Sequence, residues 1–527
     1  MTFRKAARNA HLLALSLALP ACAADVADSY SDNDTELSEK NASLSAPTNF
    51  LVVYKLESVP SSAAADIKKA GGSVLAAYKE LGIVLASSAS SGFQAALAKN
   101  ALVQAVAPTQ GAAVDALPSE GPEQKSRPAP VQQASGDTLA PMQWNMTQIR
   151  APQARAITPG KKSVVVGVFD SGIDDKLPDL KGQVDRSKSV TCIGGVADAS
   201  YANWSYDAIG HGSHVAGIIG AKENGVGTVG IAPGVSLAAV KLTEDGFIYP
   251  EAFICGLYWA ATHDFDLVNA SLFIDPYYFN CKSDPTQRAI TIAEQRAVKF
   301  AALKGVTVIA AASNENIDLA NPKEDPFSPT NGDGSTVRTV DNSCKLLPVE
   351  LDGVIGVSAV AGDKKLAYYS NYGLGVVDIA APGGDFHVPM PGNPTGQIVS
   401  PVPSYSFYYQ AAIDWNGRVA EGCKDGVDPN SEAHDPSTCT GTYAALQGTS
   451  QATPHVTGVA ALALSRFGKM PAPLLLAALT RGATPTACPS GLYQPYPEDM
   501  PAEKCQGLKL YNGFYGVGIV DALGTVR

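Results

Sequence analysis

The chain has 527 residues, 45% of them hydrophobic, and a formal net charge of −11. That length and apolar content can supply a sizeable core in one large domain or several small ones. The acidic balance and the lack of any Lys/Arg block give no electrostatic support to nucleic-acid or anionic-membrane binding.

At the N-terminus Arg4, Lys5 and Arg8 precede a short apolar run from Leu12 to Leu19, followed by small residues. The pattern predicts an export signal over residues 1–23, because the run is too short to span a bilayer. No later segment approaches about 18 uninterrupted apolar residues, which argues against a transmembrane segment. Ala21-Cys22-Ala23 fits ordinary signal cleavage. LPAC also resembles a bacterial lipobox in which Cys22 would carry lipid, with Pro20 an atypical residue there. Both readings place the protein outside the cytoplasm, secreted or anchored to the cell envelope.

Residues 24–48 hold Asp25, Asp28, Asp32, Asp34, Glu36 and Glu39 among Ser, Ala and Asn, the composition of a solvated tether. From Phe50 the pattern changes. FLVVYKL reads as a strand, 61–70 as a helix, GSVLAAY and GIVLASS as strands, 93–100 as a helix and LVQAVAP as a strand. The order βαββαβ predicts a small α+β, ferredoxin-like domain over 49–110. Residues 111–140 are rich in Pro, Gly, Ser and Gln without apolar periodicity, and read as a protease-accessible linker. Beyond them, continuous apolar runs at 163–170, 235–242, 266–272, 305–313 and 353–360 alternate with Ala-rich helical stretches. This predicts a large α/β domain over 141–527, with a mostly parallel sheet flanked by helices.

There are nine cysteines. Without Cys22 the remaining set is Cys192, Cys255, Cys281, Cys344, Cys423, Cys439, Cys488 and Cys505, an even number that suggests four disulfides among roughly a hundred pairings. Cys423 with Cys439 and Cys488 with Cys505 are the cheapest loops to close.

Four polar residues stand at the ends of apolar runs, where a parallel sheet delivers functional groups. Asp170 ends SVVVGVFD, and taken alone is a turn or cap residue. His211 opens 210-GHGSHVAGIIGA-221 at a helix start, where the helix dipole resists permanent protonation and suits proton transfer. A metal pair with His214 lacks both a third ligand and an intervening Glu. Asn314 follows GVTVIAAAS and can donate its amide to an oxyanion. Ser450 precedes the largely apolar SQATPHVTGVAALAL, with Pro454 placed near the first turn, where a missing N–H costs little. A Ser at that position is ordinarily a helix cap.

Together the segments 170-DSGID-174, 211-HGSHVAG-217, 268-VNASL-272, 309-IAAASNEN-316, 378-DIAAPGG-384 and 448-GTSQATPHVTG-458 resemble a subtilisin-type serine peptidase, and in the same Asp, His, Ser order. The resemblance spans about 141–527, with Trp144 to Arg155 resembling the opening helix and 513-GFYGVGIVDA-522 the closing segment. It implies a serine endopeptidase in which Ser450 attacks a peptide carbonyl, His211 moves the proton, Asp170 orients the imidazole, and Asn314 holds the oxyanion. It further implies that Ser271, Leu272, Phe273, Ala311, Ala312 and Ser313 line the substrate cleft, and that the substrates are proteins or peptides. The 49–110 domain resembles the inhibitor-type propeptide of the family. The chemistry requires no cofactor. Structural calcium is common in the family, but no contiguous Asp-rich loop names its ligands. Phe273 stands where the family usually has Gly, Ser313 where it has Gly before the oxyanion Asn, Gln451 where it has Met, Ser213 where it has Thr, and Leu177 where it has His. The ring of Phe273 is expected to reshape a subsite. The 67 residues between Pro382 and Ser450 exceed what compact members need. A silent binding protein on the same fold and a peptide ligase are the competing classes, and the intact residue set favours the hydrolase.

Overall fold

The computed structural model describes residues 47–109, 137, 139–328, 337–406, 412–413, 443–497 and 500–527. The expected export signal with Cys22, nearly all of the acidic tether and of the linker, and both Cys423 and Cys439 lie outside these residues.

The N-terminal unit runs β1 (Thr48–Tyr54), α1 (Ala63–Lys69), β2 (Ser73–Tyr78), β3 (Ile83–Ser88), α2 (Phe93–Ala98) and β4 (Val103–Thr109). Its four strands form an antiparallel sheet in the order β2-β3-β1-β4. Alternation along the strands divides its apolar residues between two faces. Val52, Tyr54, Val84 and Ala86 pack on its own helices around Ile67, Phe93 and Leu97. Leu51, Val53, Ile83 and Leu85 instead join the core of the larger unit.

That larger unit is built on seven strands: β5 (Val165–Asp170), β6 (Val190–Thr191), β7 (Ser236–Lys241), β8 (Leu267–Ala270), β9 (Thr307–Ala311), β10 (Ile355–Val360) and β11 (Ile379–Pro382). Their order is β11-β10-β9-β8-β5-β7-β6, with every pairing parallel. Every residue of these strands is buried, as expected of strands covered on both faces. Val165 and Phe169 face a layer made by α4 (Pro250–Thr262) and α5 (Pro285–Leu303). Val166 and Val168 face α3 (His211–Gly220) and α6 (Thr449–Phe467). The sequence pattern missed β6 and β11, which have two and four residues and carry too little periodicity to read. The expected opening helix is two short ones, Trp144–Gln148 and Ala151–Arg155, because Arg150 between them takes a left-handed conformation (φ 57°). Arg150 then pairs with Asp521 of the closing segment.

The N-terminal sheet sits on α4 and α5, so each Leu, Ile or Val it buries there gains about 1.5–3 kcal/mol before ordering costs. Polar contacts fix its register. Thr109 Oγ1 donates to Glu251 Oε1 at 2.8 Å, Tyr258 OH to Glu80 Oε2 at 2.7 Å, and Arg296 Nη1 to the Leu81 carbonyl at 3.0 Å.

Among the described residues, three disulfides join Cys192 to Cys255, Cys281 to Cys344, and Cys488 to Cys505. Only the last is a near neighbour in sequence. Cys281 and Cys344 are brought together as a cross-strand pair, which loop length cannot reveal. Among the described residues no single helix is long and apolar enough to cross a membrane.

Candidate active site

Asp170 is the last residue of β5 and is 4% exposed. His211 is the first residue of α3, reached through Gly210, whose φ of +86° turns the chain into the helix. A Cβ on Gly210 would lie 2.5 Å from Ser406 Oγ, so both backbone and space call for glycine. This geometry aims Nδ1 of His211 at the Asp170 carboxylate, 2.8 Å from Oδ1 and 2.9 Å from Oδ2. Asp170 Oδ1 also accepts from the Ser171 backbone N–H at 2.8 Å. Burial opposes protonation of His211, but the charge and hydrogen bond of Asp170, with the charge of Asp207, outweigh it and hold the imidazole above its ordinary pKa.

Ser450 lies in the first turn of α6, so its hydroxyl sits at the positive end of a 19-residue helix. Gly448 before it has φ 156° and ψ 163°, a region open to glycine. Pro454, expected near the first turn, lies one turn beyond it, inside the helix. It therefore withholds the N–H that would cap the Ser450 carbonyl. The Ser271 hydroxyl supplies the missing donor at 2.8 Å, and itself accepts from Asn269 Nδ2 at 2.9 Å. Asn269 is held by Thr457 Oγ1 at 2.8 Å, which ties β8 to α6. The Ser450 hydroxyl donates to the Ser271 carbonyl at 3.2 Å.

Asn314 is exposed, beyond the end of β9. Its Oδ1 accepts from the backbone N–H of Thr449 at 2.8 Å and from Thr449 Oγ1 at 3.0 Å. A backbone N–H can only donate, so the atom facing it is the carbonyl oxygen. Nδ2 is left for the cleft, with no protein acceptor among the described residues. Ser313 has φ 76°, the left-handed conformation that explains a glycine at this position in the family.

Asp170, His211, Asn314 and Ser450 line one cleft of about 320 Å³ together with Ser271, Leu272, Phe273, Ala311 and Ser313. Ala312, expected in the cleft, is instead fully buried, with its carbonyl accepting from Asn371 Nδ2 at 2.8 Å. His214 is a core histidine whose Nε2 donates to the carbonyls of Ile398 and Ala444, and burial lowers its pKa to about 3. Leu177 packs in the core and Ser213 Oγ accepts from the Asp174 N–H at 3.0 Å, so both departures serve local structure. Among the described residues no group of three or more His, Cys, Asp or Glu is disposed to hold a metal ion.

Several supporting residues escaped the sequence reading. Asp207 is fully buried and accepts from Ser171 Oγ at 2.7 Å, Gly210 N–H at 2.8 Å and Ser213 N–H at 2.8 Å. Buried Tyr278 and Asn371 form, with half-buried Glu315, a second network behind Asn314. An isolated polar residue in an apolar run, as at Asn269, was the available signal.

A family model described as the subtilase family matches residues 161–508. Among curated proteins, subtilisin DY of Bacillus licheniformis is 29% identical over 342 residues, covering 65% of this chain and 91% of that protein. Subtilisin E of Bacillus subtilis (strain 168) is 29% identical over 325 residues, 61% of each chain. Among solved structures, the epidermin leader peptide processing serine protease of Staphylococcus aureus superposes with a TM-score of 0.63 at 18% identity, over 92% of this chain and 98% of that one. Fervidolysin of Fervidobacterium pennivorans, described as a keratinolytic enzyme related to subtilisin, gives 0.58 at 21% identity over 91% of this chain and 61% of that one. At such identities the structural likeness speaks for the fold, while the family match covers most of the chain. The chain therefore belongs to the subtilase family and is a subtilisin-like serine endopeptidase.

Proposed function

We propose that this chain hydrolyses peptide bonds outside the cytoplasm through an acyl-enzyme on Ser450, and that it is made as a zymogen that processes itself. His211 takes the Ser450 hydroxyl proton as Oγ attacks the carbonyl, then returns it to the leaving amine. Asp170 holds Nδ1–H so that Nε2 is the basic nitrogen, and stabilises the imidazolium that forms. Asn314 Nδ2 and the Ser450 backbone N–H meet the oxyanion. Water then repeats the sequence on the acyl group. The observation that carries this reading is the two-oxygen contact of Asp170 with His211 Nδ1 on the wall of the cleft that also holds Ser450 and Asn314. Export rests on the N-terminal signal pattern and fits the three disulfides.

The propeptide reading of 49–110 is supported by its seat on α4 and α5 and by where β4 ends. Thr109 is bonded to Glu251 at the start of α4, immediately after the Thr243–Ile248 stretch that borders the cleft. The test is to express the wild-type and Ser450→Ala chains in a host lacking other proteases. The wild-type chain is expected to be cut between Gln110 and Pro141, and Ser450→Ala to remain whole with peptidase activity down by about four orders of magnitude or more. The separate 49–110 fragment should inhibit the mature enzyme. Equal cutting of both chains would reject self-processing, and full activity in the mutant would reject the nucleophile.

A further inference from the structure

A peptide carbonyl attacked by Ser450 must lie within reach of the Asn314 amide. The side chain on its acyl side then enters the recess bordered by Ser271, Leu272 and Phe273 on one wall and by Ala311 and Ser313 on the other. Its end is filled. The Phe273 ring stands edge-on to Tyr278, with centroids 5.2 Å apart and an interplanar angle of 67°. Tyr278 is 2% exposed and packs in turn on Phe327 at 5.0 Å. Its hydroxyl donates to the Glu315 carboxylate and accepts from Asn371 Nδ2 at 2.7 Å.

Glu315 borders the cleft, so it is the group a basic side chain would seek. Its Oε2 is already engaged. It accepts from Tyr278 OH, from the Asn314 backbone N–H at 2.8 Å and from Asn371 Nδ2 at 3.2 Å. The Asn371 carbonyl closes the cluster by accepting from the Glu315 and Ile317 N–H groups at 3.1 and 2.8 Å. All three bonds end on Oε2, so they hold the carboxylate and the Tyr278 ring in place behind Phe273.

We propose that Phe273, backed by Tyr278 and the Glu315 and Asn371 side chains that hold it, closes the subsite for the residue on the acyl side of the scissile bond, so that the enzyme cuts after small residues, Ala, Ser or Gly, in preference to aromatic ones. An aromatic side chain would have to displace the Phe273 ring. The proposal rests on the Ser450 reading, and the test separates the two.

The full chain, purified with whatever processing it undergoes, is assayed on quenched peptides identical except for Ala or Phe before the scissile bond. Cleavage of the Ala peptide that disappears in Ser450→Ala reports the nucleophile independently. The pocket predicts kcat/KM for Ala about tenfold or more above Phe, and in Phe273→Gly a rise of the Phe-to-Ala ratio by about tenfold. Cleavage of the Phe peptide by the wild-type enzyme as fast as the Ala peptide would overturn the proposal, even if the variant fails to fold. An unchanged ratio in a folded Phe273→Gly would overturn it as well.

Discussion

Behind Asp170 lies a second carboxylate, Asp207, that touches no cleft space and yet acts on the base. Ser171 Oγ lies between them, 3.1 Å from Asp170 Oδ1 and 2.7 Å from Asp207 Oδ1. The charge of Asp207 adds to that of Asp170 in holding the His211 imidazole above its usual pKa. A base must be neutral to work, so a raised pKa places the acid limb of the rate profile at higher pH. Asp207→Asn keeps the shape and removes one raising charge. The acid limb of kcat/KM is therefore expected to move to lower pH, and a limb that stays in place would show that Asp207 only supports the loop. Ser313 shows the same economy at one residue. It keeps a left-handed backbone that costs an L-residue roughly 1–2 kcal/mol, and its carbonyl is held by the Asn371 N–H at 3.0 Å.

At the scale of elements, the start of α6 depends on a substitution of donors. Pro454 leaves the Ser450 carbonyl without its helical partner, and Ser271 on the end of β8 fills the gap. Ser271→Ala should therefore cost about 1–3 kcal/mol of stability and lower kcat, because a buried carbonyl is orphaned beside the nucleophile. In a Pro454→Ala background the restored N–H caps the same carbonyl, and Ser271→Ala should cost less than half as much. Denaturant unfolding of the four chains measures this coupling. Strict additivity would contradict it.

The contact between the N-terminal unit and α4 carries its own pH dependence. Glu251 is fully buried beneath that unit, and burial pushes its carboxyl up to about 7 against hydrogen bonds from Thr109 and Asn49. Once the unit leaves, the carboxyl returns to solvent and to the ordinary carboxylate range. The pKa is higher in the docked state, so docking is strongest below the free pKa and weakens as pH rises toward 7, then levels off. Inhibition constants of the 49–110 fragment measured from pH 4.5 to 8 should rise over that window, and Glu251→Gln should flatten the rise. A constant value in the wild type would contradict the interface as described.

For the whole molecule, what the sequence disclosed follows how local each signal is. Strands β5, β7, β8, β9 and β10 were legible because buried parallel strands are continuous apolar runs, and Asp170, His211, Asn314 and Ser450 because each ends or begins such a run. The break at Arg150 was hidden, since a left-handed Arg has no pattern in its neighbours. The supporting network was hidden for a different reason. Ser171 meets Asp207 across 36 positions and Asn371 meets Tyr278 across 93, so neither pairing leaves a local trace. The disulfides Cys192–Cys255 and Cys281–Cys344 each span 63 positions and were passed over in favour of short loops. Each closes a loop long enough to contribute about 4 kcal/mol by the chain-entropy estimate, which the order of cysteines alone cannot show.

The central claim is that Ser450 is a nucleophile activated by His211 and Asp170, and covalent labelling tests it most directly. The purified protein is treated with a fluorophosphonate at neutral pH, and the modified peptide is identified by mass spectrometry. One label on Ser450 is predicted, with the rate of labelling falling by about three orders of magnitude or more in His211→Ala. A label on another serine, or labelling of Ser450 at the same rate without His211, would contradict the account.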